Sequence, residues 1–155
     1  MSIAELLTTR FLVNSSTPRL DLELLLAFVL NKSRSFLYAH SEYKLTSEQE
    51  KTFDALFNRR ANGEPIAYIL GKKEFWSLEL MVNQTVLIPR PETELLVEVA
   101  LSKVDREVAN IADMGTGSGA IALALANVRS KWNVVATDIS ADALNLARYN
   151  AKQLQ

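Results

Sequence analysis

The sequence predicts an α/β protein, α+β overall, in three stretches: a helical bundle over residues 1–70, a β-hairpin connector and strap over 71–90, and the first part of an open parallel α/β domain over 91–155. Three observations predict it. Apolar residues recur at helical spacing between cap signals through the first sixty or so positions. After Gly71 the period drops to two. From Asn110 to Asp138 the pattern reads strand, glycine loop, helix, strand.

Ser2 is placed to cap a first helix carrying Ile3, Leu6, Leu7 and Phe11, and Asn14-Ser15-Ser16-Thr17 breaks it. Thr17-Pro18 is a cap followed by proline at the first helical position. The helix it opens has Leu22, Leu25, Leu26 and Val29 on one face, broadened by Leu20, Leu24 and Phe28, so it is expected at the centre of the bundle. Ser33 to Tyr38 reads as a short helix. Ser47-Glu48-Gln49-Glu50 has the capping-box pattern, Phe53, Leu56 and Phe57 continue it, and Asn62-Gly63 closes it. Arg59, Arg60, Lys72 and Lys73 are read as a solvated face rather than a binding patch, and His40 as a helix-end residue.

In Phe75-Trp76-Ser77-Leu78-Glu79-Leu80-Met81-Val82 the residues Leu78, Leu80 and Val82 alternate with Glu79 and Met81, which suggests a hairpin. In the strap Leu87-Ile88-Pro89-Arg90-Pro91-Glu92-Thr93-Glu94 each proline holds the residue before it extended. Glu92 and Glu94 then fall in the first turn of a helix, where they complement its dipole, with Leu95, Leu96 and Val99 as the expected buried face. Arg90 has two readings: it steers a ligand carboxylate or holds Asp113 or a nearby acid, or it is a plain surface linker residue.

The centre of the sequence is Asn110-Ile111-Ala112-Asp113-Met114-Gly115-Thr116-Gly117-Ser118-Gly119. Glycines at alternate positions let the chain turn sharply and let a ligand approach the backbone. Both Gly115-x-Gly117-x-x-Ala120 and Gly117-x-Gly119-x-x-Ala122 fit the loose dinucleotide fingerprint. Asp113 separates the readings, because a carboxylate there repels a pyrophosphate and suits a ligand carrying an ammonium and a sulfonium. The loop therefore points to S-adenosylmethionine. Asp138 ends the next apolar run, 19 positions after Gly119. It is placed to accept hydrogen bonds from ribose hydroxyls, which nicotinamide and methyl-donor sites both need, or else to serve as the N-terminal acid of the next helix.

Composition bounds the rest. A chain of 155 residues, 48% hydrophobic and 23% charged, is sized for one domain or two small ones. Its net charge of −1 gives no broad basic field, so unspecific binding to nucleic acid or acidic membrane is not indicated. No cysteine and a single histidine argue against a thiolate or histidine metal site. The apolar runs are too short to cross a bilayer, no leader is read at Met1, and a cytoplasmic location is expected.

Read together, Gly71-x-x-x-Phe75, the strap and the Asp113–Gly119 motif, with Gly63-Glu64-Pro65-Ile66-Ala67-Tyr68 in the helical part, resemble the bacterial peptide chain release factor glutamine N5-methyltransferases. The glycine motif alone marks the wider methyltransferase superfamily, while the strap and the Gly-Glu-Pro-Ile segment are much more specific. The resemblance implies a helical substrate-recognition domain at 1–70 and a Rossmann-like S-adenosylmethionine-binding domain at 91–155. It implies methyl transfer to the glutamine amide of the Gly-Gly-Gln loop of release factors. By position, Gly115, Thr116, Gly117, Ser118 and Gly119 inherit contacts to the methionine part, Asp138 the contact to ribose, and Asp113 the acid that opens the motif. Arg90, Glu92 and Thr93 of the strap are candidate supporting residues.

The family's catalytic Asn-Pro-Pro-Tyr motif does not occur among the 155 residues, so no catalytic residue is assigned. An amide nitrogen is a poor nucleophile and depends on polarising hydrogen bonds. The expectation is therefore a truncated piece of a longer enzyme, inactive alone, with an open strand edge through which it self-associates. Two alternatives stand beside it: a non-catalytic module that docks release factors, and an NAD-dependent oxidoreductase.

Overall fold

The computed structural model describes residues 1–154; Gln155, the last residue of the domain expected at 91–155, lies outside the described residues. The chain forms two compact units, Met1–Leu70 and one beginning at Gly71.

The first unit is five helices: α1 (Ile3–Thr9), α2 (Pro18–Leu30), α3 (Arg34–Ala39), α4 (Ser47–Ala61) and α5 (Ile66–Leu70). Ser2 caps α1 in a capping box with Glu5. Phe11, expected on this helix, falls beyond its end and is 74% exposed. Helix α2 packs against the other four, as expected of a central helix, but Leu20 and Phe28, expected to broaden its buried face, are exposed. Its core residues Leu22, Leu25, Leu26 and Leu30 meet Ile3, Leu6, Leu37, Phe53 and Ile69. Thr17 makes no side-chain cap bond; its hydroxyl and that of Ser15 donate instead to the buried Asp21, which also receives Arg60 Nε at 2.6 Å. The cap of α4 is Thr46, boxed with Gln49, one residue earlier than the sequence suggests. Arg59 pairs with Glu64, so neither arginine of the basic pair near the end of α4 is left for a binding patch.

The second unit opens with an antiparallel hairpin, β1 (Lys72–Phe75) and β2 (Leu78–Met81), whose register pairs Phe75 with Leu78 across a two-residue turn. Trp76 and Ser77 both have positive φ, 52° and 59°, the geometry that follows the twist of paired strands. Trp76 N donates to Glu94 Oε1 at 2.9 Å, which holds this turn against the next helix. A 3-10 turn at Pro91–Thr93 leads into α6 (Glu94–Lys103). Then follow β3 (Asn110–Met114), α7 (Ala120–Val128), β4 (Asn133–Thr137) and α8 (Ala141–Gln153). Strands β3 and β4 are parallel, with Asn110 opposite Asn133 and Met114 opposite Thr137. The hairpin is built into this unit: Phe75, Leu78 and Leu80 share a core with Val97, Ala120, Ala124, Leu125 and Trp132.

One expectation about α6 is corrected. Leu95 and Leu96 are 62% and 55% exposed and Val99 is exposed too, while Val97 is fully buried with Ala100 and Leu101 packed beside it. The helix carries two apolar stripes, and the core of this unit takes the one that faces α7.

Candidate functional site

The C-terminal ends of β3 and β4 carry the site, because a parallel pair leaves its next turn and helix N-terminus together at that edge. Gly115 N and Thr116 N both donate to Thr137 O, at 2.8 and 2.9 Å, which clamps the start of the glycine turn to the end of β4. Gly119 N donates to Thr116 O at 2.9 Å and closes the turn. All three glycines have positive φ, between 56° and 85°, so each serves the turn in a conformation that side chains avoid.

Their surroundings differ. A Cβ on Gly115 or Gly117 would meet nothing within 4 Å, whereas one on Gly119 would lie 3.1 Å from Leu123 Cδ1 and 3.3 Å from Ala147 Cβ. The first two glycines therefore keep an open side for a ligand, and the third lets α7 approach α8.

Two carboxylates flank the turn. Asp113 Oδ2 accepts from Thr116 Oγ1 at 2.7 Å and from Ala122 N at 3.2 Å. Gly119 makes no side-chain cap, so Asp113 supplies from the strand end the acceptor that the first turn of α7 needs. Asp138 Oδ1 accepts from Ser140 N and Oδ2 from Gly117 N, each at 2.9 Å. The amides of Ser140 and then Gly117 hold the Asp138 carboxyl below the usual carboxylate range. Asp138 thus ties the glycine turn to the start of α8, whose own cap is the Ser140 hydroxyl accepting from Ala143 N.

The structure brings together Asp113, Gly115, Thr116, Gly117, Ser118, Gly119 and Asp138 around one turn. Thr116 and Ser118 are buried, so their side chains shape the turn from inside. The strap residues stand apart from it. Arg90 is exposed and, among the described residues, makes no side-chain hydrogen bond or ion pair; Asp113 is held by Thr116 and Ala122 instead. That corrects the reading in which Arg90 holds Asp113. Glu92 is exposed, and Thr93 N closes the 3-10 turn onto Arg90 O. Sequence reasoning missed Asn150, a buried amide that reaches this turn from α8; its signal is a polar residue on the apolar face marked by Ala143 and Ala147.

A cavity of about 450 Å³ lies between α7, β4 and α8, lined by Leu123, Ala126, Val134, Ala136 and Leu144. Its walls are mostly apolar, and Thr137, Asp138 and Arg148 also line it, so the carboxylate that holds Gly117 borders this cavity as well as the turn.

The donor set at the turn fits the methyl donor to which the sequence points. Each carboxylate oxygen accepts two hydrogen bonds, so Asp138 retains capacity for hydroxyls after binding two amides. The amides of Gly117 and Ala122, which a pyrophosphate would require, already bind the protein's own carboxylates. Among the described residues no cluster of histidine, aspartate or glutamate could hold a metal ion, and no helix is long and apolar enough to cross a membrane.

Two protein families match parts of the chain. The PrmC N-terminal domain family matches residues 7–71, and the methyltransferase small domain family matches residues 91–155. A release factor glutamine methyltransferase of Coxiella burnetii is 59% identical over 140 residues, 90% of this chain and 50% of that protein. One from Buchnera aphidicola is 53% identical over 137 residues, and one from Escherichia coli K12 is 49% identical over 140, covering 88% and 90% of this chain and 50% of each relative. The chain spans about half the length of the curated relatives it matches.

Proposed function

Since the chain belongs to the release factor glutamine methyltransferase family, we propose that its second unit is the S-adenosylmethionine-binding part of an enzyme that methylates the glutamine side-chain amide in the Gly-Gly-Gln motif of peptide chain release factors. The observation that supports it is the pair of carboxylates, Asp113 and Asp138, that take the amides at the glycine turn and leave it anionic. When bound, the cofactor supplies a methyl group on a sulfonium, whose transfer to the amide nitrogen leaves a neutral thioether and frees one proton from nitrogen. The open sides of Gly115 and Gly117 admit the methionine part of the ligand to the backbone, and Asp138 accepts from ribose hydroxyls. Thr116, Ser118 and Gly119 set the shape of the turn.

On this proposal the helical unit, residues 1–70, recognises the release factor, and 71–90 supplies hairpin and strap, with Arg90, Glu92 and Thr93 on the substrate side. The 155 residues alone bind cofactor without transferring methyl groups, since none of them supplies the Asn-Pro-Pro-Tyr acceptors that polarise the amide. Among the described residues β3 and β4 pair only with each other, and on this proposal the chain self-associates through their outer edges at high concentration. The proposal includes a cytoplasmic location.

Isothermal titration with S-adenosylmethionine and with NAD tests the cofactor assignment. Micromolar binding of the methyl donor with weaker NAD binding is the expected result; tighter NAD binding moves the chain to the NAD-dependent oxidoreductases. Full-length release factor with labelled cofactor tests the rest. Methyl incorporation refutes inactivity, and binding without incorporation supports a docking module.

A further inference from the structure

We propose that Asn150 is a positioning residue that fixes the glycine turn to the hairpin, and that cofactor affinity depends on it. The inference rests on the cofactor reading of the turn given above.

Asn150 lies in the last turn of α8 and is 2% exposed. Its amide makes three hydrogen bonds. Oδ1 accepts from Met81 N at 2.8 Å, while Nδ2 donates to Met81 O at 3.0 Å and to Ser118 O at 2.8 Å.

Met81 is the last residue of β2 and pairs with Lys72, while Val82 N donates to Gly71 O. Hydrogen-bonded and non-bonded pairs alternate along an antiparallel ladder, so Met81 directs its N–H and C=O away from β1. The Asn150 amide meets both, as a neighbouring strand would. Its remaining hydrogen goes to the carbonyl of Ser118, between the open Gly117 and the tightly packed Gly119. One side chain thus sets the distance between the sheet edge of the hairpin and the middle of the turn. Helix α8 does not need the amide for its own start, which Ser140 caps; the Ala122 amide goes to Asp113, and Asn150 serves the carbonyl of Ser118 in the turn. A buried amide without such a task costs desolvation that alanine avoids.

The test uses the whole 155-residue chain, with Asn150→Ala and with Trp132→Phe as control. Trp132 donates Nε1 to Arg106 O beside the N-terminal ends of the strands, so its loss weakens the same unit at the opposite edge. Amide exchange is measured without ligand, then the affinity for S-adenosylhomocysteine by titration. Asn150→Ala is expected to speed exchange at residues 79–82 and 115–122 together, and to weaken binding about tenfold beyond the control, the factor that ~1.4 kcal/mol produces. Asn150→Gln, which keeps the amide, is expected to recover part of both.

Unchanged exchange in those two segments overturns the proposal, as does an affinity loss matched by Trp132→Phe. Coupled exchange in a protein that binds no cofactor even as wild type supports the tie and sinks only the cofactor reading.

Discussion

Replacing Asp113 by asparagine separates the task that the structure shows for this residue, holding the glycine turn and the start of α7, from the one proposed for it, attracting a cationic ligand. The asparagine keeps one acceptor oxygen, enough for the Thr116 hydroxyl at 2.7 Å and the Ala122 amide at 3.2 Å, so the turn and the start of α7 hold their shape. Weakening two bonds to a charged acceptor into bonds to a neutral one costs about 1 kcal/mol of stability, and lowers the melting temperature of a unit this size by roughly 4–8 °C. The lost charge acts on the ligand. A unit charge ~6 Å away is worth about 0.7 kcal/mol in water and about 3 kcal/mol at an effective dielectric of 20. The half-exposed position of Asp113 puts the value near 1 kcal/mol, a factor of about five. The assay is titration of wild type and variant with S-adenosylmethionine and S-adenosylhomocysteine at two salt concentrations. The two ligands share every group except the sulfonium charge, so the preference for the first should fall about fivefold, and less at high salt. Equal losses for both ligands, or no loss for either, would refute the electrostatic role and leave Asp113 a helix cap.

Other perturbations follow from the same contacts. Asp138 and Glu23 both have folded-state pKa values below their usual ones, so the stability they contribute is complete above roughly pH 4–4.5 and is lost as pH falls through the lower folded values; Asp138→Asn should flatten the acid limb of stability against pH in urea melts, and an unchanged slope would contradict it. At Glu23 burial pushes the carboxyl up, but hydrogen bonds from Tyr38, Arg34 and Arg19 outweigh it, and Glu23→Gln should cost about 2 kcal/mol in denaturant unfolding, reduced from a fully buried pair because both arginines are half exposed. Gly119→Ala adds contacts at 3.1 and 3.3 Å to an unfavourable φ of 85° and should cost about 2–3 kcal/mol, while Gly63→Ala, at φ 91° with open space around it, should cost about 1 kcal/mol; equal losses would show that backbone strain alone decides.

Much of this was legible in the sequence because local rules decided it. The alternation of Leu78, Leu80 and Val82 placed the hairpin face, and the glycine turn announced the end of β3. What escaped was settled by contacts distant in sequence. Both Thr46 with Gln49 and Ser47 with Glu50 satisfy the capping-box spacing; Glu50 is taken by the N-terminal ammonium of Met1, and Thr46 with Gln49 forms the box. Helix α6 offers Leu95, Leu96 and Val99 on one stripe and Val97, Ala100 and Leu101 on another, and no period can choose between them. The hairpin turn lacks the Asn-Gly signal because Trp76 and Ser77 occupy its left-handed positions, with Glu94 compensating from 18 residues away. The sequence marks Asn150 only as a polar residue on the apolar face of α8; its partners, 69 and 32 positions upstream, are not legible there.

A glycine turn opening a helix is by default an anion site, since unpaired amides and the helix dipole both favour negative charge. Here the chain fills that role from within. Asp113, two residues before the turn, takes the Ala122 amide, and Asp138, at the end of the neighbouring strand, takes that of Gly117. An arriving phosphate would have to displace both carboxylates and then lie beside them. A ligand with a positive centre and hydroxyl donors meets acceptors already oriented, and gives up no protein hydrogen bond to reach them. The spacing of the glycines is neutral between these outcomes; the residue that ends each strand chooses. For that reason a dinucleotide fingerprint and a methyl-donor motif can share a glycine pattern and bind ligands of opposite local charge.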